Sequence, residues 1–238
     1  MKIVCRSNFF TFPLIEELKK LQIDILISDN PNELLLNGEA DIAIASPLDF
    51  LNSRETLSTL IISSVGVISK GFSSISKLIF KSGLKEISTF SFKESNFYER
   101  LISEIILSEK FDFHPEFLLI DSITTIDDYL NNSDCTLVIA DSNFIDNNSY
   151  LDLSDEWEDL TESSLVHILC YTINDDKMIL KYDFLKSLVL KFNLPENSKI
   201  NFQLDEDSLK GLDIFFNYTF LKGLIGDLPQ TTALFYSE

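Results

Sequence analysis

Short apolar runs and amphipathic stretches take turns along the first third of the chain, and this alternation restricts the fold more than any other feature. Strand-like runs over residues 2–6, 23–28 and 41–46 enclose helix-like stretches over 12–21 and 31–38. In the first helix Leu14, Leu18 and Leu21 fall on one face and a Glu16–Lys20 pair on the other. Gly38 closes the second helix, and Pro47 opens a third, where proline is well tolerated. Strand–helix–strand order of this kind implies a parallel sheet with right-handed crossovers.

Residues 57–80 break the rhythm with long strand-like runs separated by Ser and Gly. A second series then predicts strands over 86–92, 116–121 and 135–141. Its helices are expected over 95–110, with Phe97, Leu101 and Ile105 inward, and over 125–131. A helix around Trp157, an apolar strand over 165–173 and closing helices over 178–192 and 207–224 complete the chain. Leu209, Leu212, Phe216 and Phe220 are expected as the buried stripe of the last helix. Two such series, joined by two long strands that each cross between them, describe an α/β protein of two lobes with a cleft between the lobes. Lobe one is residues 1–70 plus 166–238, and lobe two residues 71–165.

Nineteen basic residues against 38 acidic ones leave a formal charge of −19, spread along the chain with no acidic tail. Phosphate contacts need clustered Lys or Arg, so no nucleic-acid partner is expected, and the acid reads as a solubility feature. No apolar run reaches the roughly 20 residues of a membrane span. The opening residues also lack the layout of a signal peptide, because Arg6 interrupts a short apolar stretch. A soluble, cytoplasmic protein with no membrane partner is expected. Cys5, Cys135 and Cys170 lie far apart inside apolar strands, as buried free thiols do. His114 and His167 stand apart from any Cys or carboxylate cluster, so no metal site is expected.

The stretch from Tyr150 to Ile173 carries the single tryptophan. Leu153, Trp157 and Leu160 fall at helical spacing, behind an acidic face of Asp155, Glu156, Glu158 and Asp159. The order Asp152, Leu153, Glu156, Trp157, Leu160, Thr161, followed by an apolar strand, resembles the late signature of the futalosine-pathway menaquinone biosynthesis enzymes. Chorismate dehydratase is the nearest in pattern, with the dihydroxynaphthoate-forming enzyme as its sibling. In that family the segment is structural.

Other stretches are similar in order and spacing. Ser7, Thr11, Pro13 and Leu14 match a family opening of Ser-Tyr-Leu-Asn-Thr-x-Pro-Leu, whose functional Asn is Phe10 here. Gly38, Asp41 and Ala43 match a Gly-x-x-Asp-x-Ala-Leu strand. Ser76, Leu78, Ile79 and Phe80 echo a Ser-x-x-Leu-Phe strand that lacks its preceding Gly-Pro. Ser95 keeps one serine of a Ser/Thr-rich helix entry, and Asp141 the acid of a Gly-Asp-x-Ala loop.

The resemblance implies a type II periplasmic-binding-protein-like fold. It also implies a hydro-lyase that removes water from chorismate to give 3-enolpyruvylbenzoate, without metal or organic cofactor. Aromatisation drives such a reaction, so the protein mainly orients a small carboxylate substrate and excludes water. Ligands of open α/β sheets lie beyond the carboxyl ends of strands, which points to the loops there. Thr11, Ser46, Ser74, Ser95, Asn96 and Asp141 are the expected substrate-binding residues, and Ser76 the residue that assists the departing hydroxyl. Ser95 and Asn96 serve equally well as helix caps, while the free N–H groups at that helix start suit a carboxylate. A phenyl ring at position 10 cannot make the hydrogen bonds of an amide. A second reading is therefore a carboxylate-binding protein of the same fold that has lost catalysis. The sibling activity needs a catalytic His at a loop, and neither His114 nor His167 is at one. No Ser-His-Asp order, P-loop or dinucleotide fingerprint is present.

Overall fold

In the computed structural model the described residues are 1–54, 59–120, 125–139, 149–173 and 199–229. The opening alternation forms β1 (Lys2–Cys5), α1 (Phe12–Lys20), β2 (Asp24–Ile27), α2 (Pro31–Leu36), β3 (Ile42–Ala45) and α3 (Pro47–Arg54). The long β-like region resolves into β4 (Thr59–Ser69) and β5 (Ser76–Phe80). The second series gives β6 (Thr89–Phe92), α4 (Phe97–Phe111), β7 (Glu116–Leu119), α5 (Ile126–Asn132) and β8 (Cys135–Ile139). Then come β9 (Tyr150–Asp152), α6 (Leu153–Thr161), β10 (Leu165–Ile173), β11 (Ile200–Asn201) and α7 (Glu206–Leu221). The helix expected over 178–192 lies outside the described residues.

The strands form two sheets, ordered β11-β4-β10-β3-β1-β2 and β7-β6-β8-β5-β9. In the first, β1 runs parallel to both β2 and β3, and β10 returns antiparallel to β3 with Leu169 opposite Ala45. In the second, β6 is parallel to β7 and β8, while β5 is antiparallel to β8 and β9. The chain falls into two compact units. One holds the described parts of residues 1–68, 165–193 and 200–238, the other those of 69–164 and 194–199.

The buried strands explain why their sequences read as unbroken apolar runs. Ile3, Val4, Cys5 and every residue of β3 are fully buried, as strands covered on both faces must be. β10 is buried from Leu165 to Thr172. Helix phase follows the apolar spacing with three corrections. Leu21 lies past the end of α1 and is exposed, so the buried set there is Leu14, Ile15 and Leu18. Phe97 is exposed, not inward, because a 3₁₀ turn over Glu94–Asn96 delays the start of α4; Tyr98, Leu101, Ile102 and Ile105 face in. In α7 the stripe is Leu212, Phe215, Phe216 and Thr219, while Leu209 is only half-buried and Phe220 is exposed. Two adjacent phenylalanines left the phase of that helix ambiguous, and the choice that satisfies i, i+3, i+4, i+7 prevails.

Local devices set the ends. Gly38 takes φ +68° just beyond α2, a value that side chains with a Cβ rarely adopt. Asp205 and Ser208 form a reciprocal capping box at the start of α7. Trp157 and Leu153 are fully buried beneath α6, whose first turn is capped by the Asp152 carboxylate. Lys110 of α4 reaches both Glu156 and Asp159 of α6, joining the two helices on the acidic face. Among the described residues no helix is long and apolar enough to cross a membrane.

Candidate functional site

Each unit carries its own polar cluster. In the first it lies where β1 and β3 end. Arg6 leaves β1 with its backbone N–H bonded to the Ile44 carbonyl at 3.3 Å. The Thr11 hydroxyl donates to the Arg6 carbonyl, and the Thr11 N–H donates to Asn8 Oδ1 at 2.9 Å. The Asn8 N–H in turn donates to Thr11 Oγ1 at 3.1 Å, so the two side chains close the loop on itself. Thr11 is fully buried, and its hydroxyl is taken up by this loop.

Ser46 precedes Pro47 and caps α3. Its hydroxyl donates to Asp49 Oδ2 at 2.7 Å, its N–H donates to the same oxygen at 3.1 Å, and the Asp49 N–H donates back to Ser46 Oγ at 3.2 Å. The other Asp49 oxygen stands 3.6 Å from Arg6 Nη1. Asn32 donates to the Asp49 carbonyl at 2.8 Å and accepts from the Tyr171 hydroxyl at 2.7 Å. Burial, with Asp49 nearby, raises the Tyr171 phenol well above its ordinary value. Phe10 is turned into the core, where its ring stacks on His167 with centroids 4.2 Å apart and planes 15° from parallel. His167 is fully buried on β10.

The cluster of the second unit is built around Asp152, which is buried between β9 and α6. Its carboxylate accepts from the Ser74 N–H at 2.6 Å, the Ser154 N–H at 3.1 Å, the Asp155 N–H at 3.3 Å and the Ser73 hydroxyl at 3.3 Å. Ser154 Oγ lies 3.0 Å from Ser73 Oγ and also bonds Ser69 Oγ. Burial raises the Asp152 carboxyl above its ordinary value, against the opposing pull of these N–H donors. Ser74 takes φ +63°, held there by its bond to Asp152. Two residues on, Ser76 opens β5 fully buried, and its hydroxyl has no hydrogen-bond partner among the described residues.

The remaining candidates sit apart from that network. Ser95 is exposed and donates to Asn96 Oδ1 at 3.1 Å. Asn96 stands at the N-terminus of α4 without a side-chain capping bond. Asp141 lies outside the described residues. The structure thus gathers Ser74 with Ser73, Ser154 and Asp152, and Thr11 and Ser46 into the first-unit cluster around Arg6 and Asp49. Sequence reasoning overlooked Arg6, Asp49 and Asp152. The available signal for two of them was the helix-cap pattern, an acid three residues after Ser46 and an Asp just before a helix.

What the clusters can do is bounded by their chemistry. Cys5, Cys135 and Cys170 are buried free thiols. Burial pushes Cys5 up to about 12 and raises the other two, so none offers a thiolate nucleophile. Among the described residues no group of three or more His, Cys, Asp or Glu could hold a metal ion. The clusters hold hydroxyls, backbone N–H groups, the Asn32 amide, the Tyr171 phenol, the Arg6 guanidinium and the carboxylates of Asp49 and Asp152. Of these the guanidinium and the N–H groups suit orientation of an anion.

Sheet order and element order define a periplasmic-binding-protein-like α/β protein. A protein of Archaeoglobus fulgidus matches it with a TM-score of 0.62 at 16% identity, covering 94% of this chain and 98% of that one. An ABC transporter structure from Parabacteroides distasonis matches at 0.59 and 14% identity over 100% and 98% of the two chains. A protein of Bordetella bronchiseptica gives 0.58 at 10% identity over 100% and 95%. Likeness at such identity speaks for the fold alone. No curated protein matches the sequence. The model of the menaquinone biosynthesis family matches residues 6–172, and the chain belongs to that family.

Proposed function

We propose that the chain is a chorismate-dehydratase-like hydro-lyase of the futalosine route to menaquinone, acting in the cytoplasm on a small dicarboxylate. The observation that carries the reading is the family match, which runs from the first loop through Ser76 to the strand after Trp157. Chorismate loses its ring hydroxyl and one ring proton as water, and the ring becomes aromatic in 3-enolpyruvylbenzoate. Such a step needs orientation and dryness more than a strong base. The Ser76 hydroxyl fits the part of a donor to the departing oxygen. Left without a partner it costs about 1–3 kcal/mol. Asp152, through Ser73 and Ser74, fixes the turn that leads into it.

The Phe10–His167 stack favours a second reading, a carboxylate-binding protein of the same fold without turnover. The ring at position 10 offers no amide to a ligand, and its stacked position leaves it no reason to swing out. Incubation of the purified protein with chorismate separates the two. Loss of chorismate absorbance with enolpyruvylbenzoate appearing by mass spectrometry supports the lyase, and saturable binding without product supports the binder. A Phe10→Asn variant that gains turnover absent from the parent would settle the matter for the binder.

A further inference from the structure

We infer that Arg6 anchors the carboxylate of the ligand. The inference rests on the small-carboxylate reading above, though on neither of its two versions in particular. A guanidinium carries five N–H donors in a rigid fork that matches a carboxylate edge to edge. Among the described residues Arg6 makes one side-chain hydrogen bond, from Nη2 to the Asp29 carbonyl. Its approach to Asp49 is 3.6 Å, an ion pair too long for a hydrogen bond. Its Nε–H is buried with no acceptor among the described residues. That donor is sealed from solvent, and the part of the fork open to a ligand is Nη1, which is not buried and has no hydrogen-bond acceptor among the described residues. The side chain is 30% exposed, so a ligand can reach it.

Position and elimination point the same way. Arg6 directly follows β1, at the carboxyl end of a parallel strand, where ligands of open α/β sheets lie. The hydroxyls of Thr11 and Ser46 are engaged, with the Arg6 carbonyl and with Asp49, the Asn8 Oδ1 is engaged with the Thr11 N–H, and Phe10 has nothing to donate. The loops over 6–11, 28–30 and 46–47 contain no other Lys or Arg, in a chain of formal charge −19. An anion drawn to these loops meets one cation among them. That cation is already oriented, because its backbone is pinned to Ile44 and Thr11 and its Nη2 to Asp29. Asp49 then acts as an internal competitor. Its capping bonds to Ser46 fix it in place, and its second oxygen repels any carboxylate that approaches Arg6.

That competition separates a ligand anchor from a loop staple. Binding is measured calorimetrically with benzoate, its neutral counterpart benzamide, and chorismate, on the full chain and on Arg6→Met, Arg6→Lys and Asp49→Asn. The wild type is expected to prefer benzoate over benzamide, and Arg6→Met to lose that preference with a drop in carboxylate affinity of about tenfold or more. Arg6→Lys keeps the charge without the fork and falls between the two. Asp49→Asn retains an oxygen that can cap Ser46, and carboxylate binding tightens severalfold. A mere staple would leave affinity unchanged or weaken it in that variant, and this outcome overturns the inference. Undiminished carboxylate binding by Arg6→Met overturns it as well, while the carboxylate reading survives. If the wild type binds none of the three probes, inference and reading fall together. Should Arg6→Met fail to fold, Arg6→Lys and Asp49→Asn decide the question alone.

Discussion

Replacing Trp157 with alanine tests the packing of the second unit at its largest buried side chain. A buried tryptophan removes some 150–250 Å² from water, about 4–6 kcal/mol at about 25 cal/mol per Å². Residual burial in the unfolded chain trims this by roughly 10–40%. A further correction comes from the indole N–H, which is buried without a partner among the described residues. Deleting it relieves roughly 1 kcal/mol of desolvation. The expected loss is therefore about 3 kcal/mol, at the low end for truncations of large aromatic residues. Urea unfolding followed by circular dichroism measures it, since the variant has lost the only tryptophan as a fluorescent probe. Trp157→Phe sharpens the test. It keeps most of the ring and deletes only an unpartnered donor, so its cost should stay near 1 kcal/mol. A loss of 3 kcal/mol in that variant would show that the indole N–H holds a bond that matters, and a loss within about 0.5 kcal/mol for Trp157→Ala would refute the burial itself.

Other consequences are narrower. Ser76→Ala removes an unsatisfied hydroxyl, so stability by urea unfolding should hold or rise by up to about 1 kcal/mol while any chorismate turnover falls. Gly66→Ala places a methyl 2.9 Å from the Ile168 carbonyl and 2.7 Å from Leu204 Cδ1, and should destabilise by about 1–3 kcal/mol. Two carboxyls should give opposite pH signatures when stability is compared with the Asn variant across pH. Asp152 is raised above its ordinary 3.8 by burial, so the folded state holds that proton more tightly than the unfolded chain; its contribution to stability is fully present below pH 3.8 and is lost as pH climbs through the folded value. At Asp134 burial is outweighed by bonds from the Ser88 and Thr89 N–H groups and the Thr89 hydroxyl, and by Lys81, which together bring it below 3.8; its contribution is present above pH 3.8 and disappears as pH falls through the folded value.

Periodicity made the fold legible because burial on both faces leaves a plain mark. The apolar runs of β1, β3 and β10, too short for helices, read as covered strands, and the Trp157 helix announced its buried edge through Leu153 and Trp157. Where the pattern offered two phases it misled, as in α7, whose Phe215, Phe216 and Phe220 allow rival stripes. The elements missed were β9 and β11, three and two residues long, too short to show any period.

The candidate site was legible in place but not in state, and the reason lies in how far apart the partners are. Ser46 and Asp49 are three residues apart, so their mutual capping could have been read from the spacing, and with it the conclusion that the Ser46 hydroxyl is engaged. No such reading was open for Asp152, which binds Ser73 and Ser74 across 79 and 78 residues of chain. That bond exists because β9 pairs with β5 in a register that sets Asp152 opposite Lys77, bringing the acid to the very turn that carries the serines. The sequence marks hydroxyls at strand ends as available. Sheet order decides which of them are already bound, and it leaves Ser76 in one unit and Arg6 in the other among the side chains whose donors have no acceptor among the described residues.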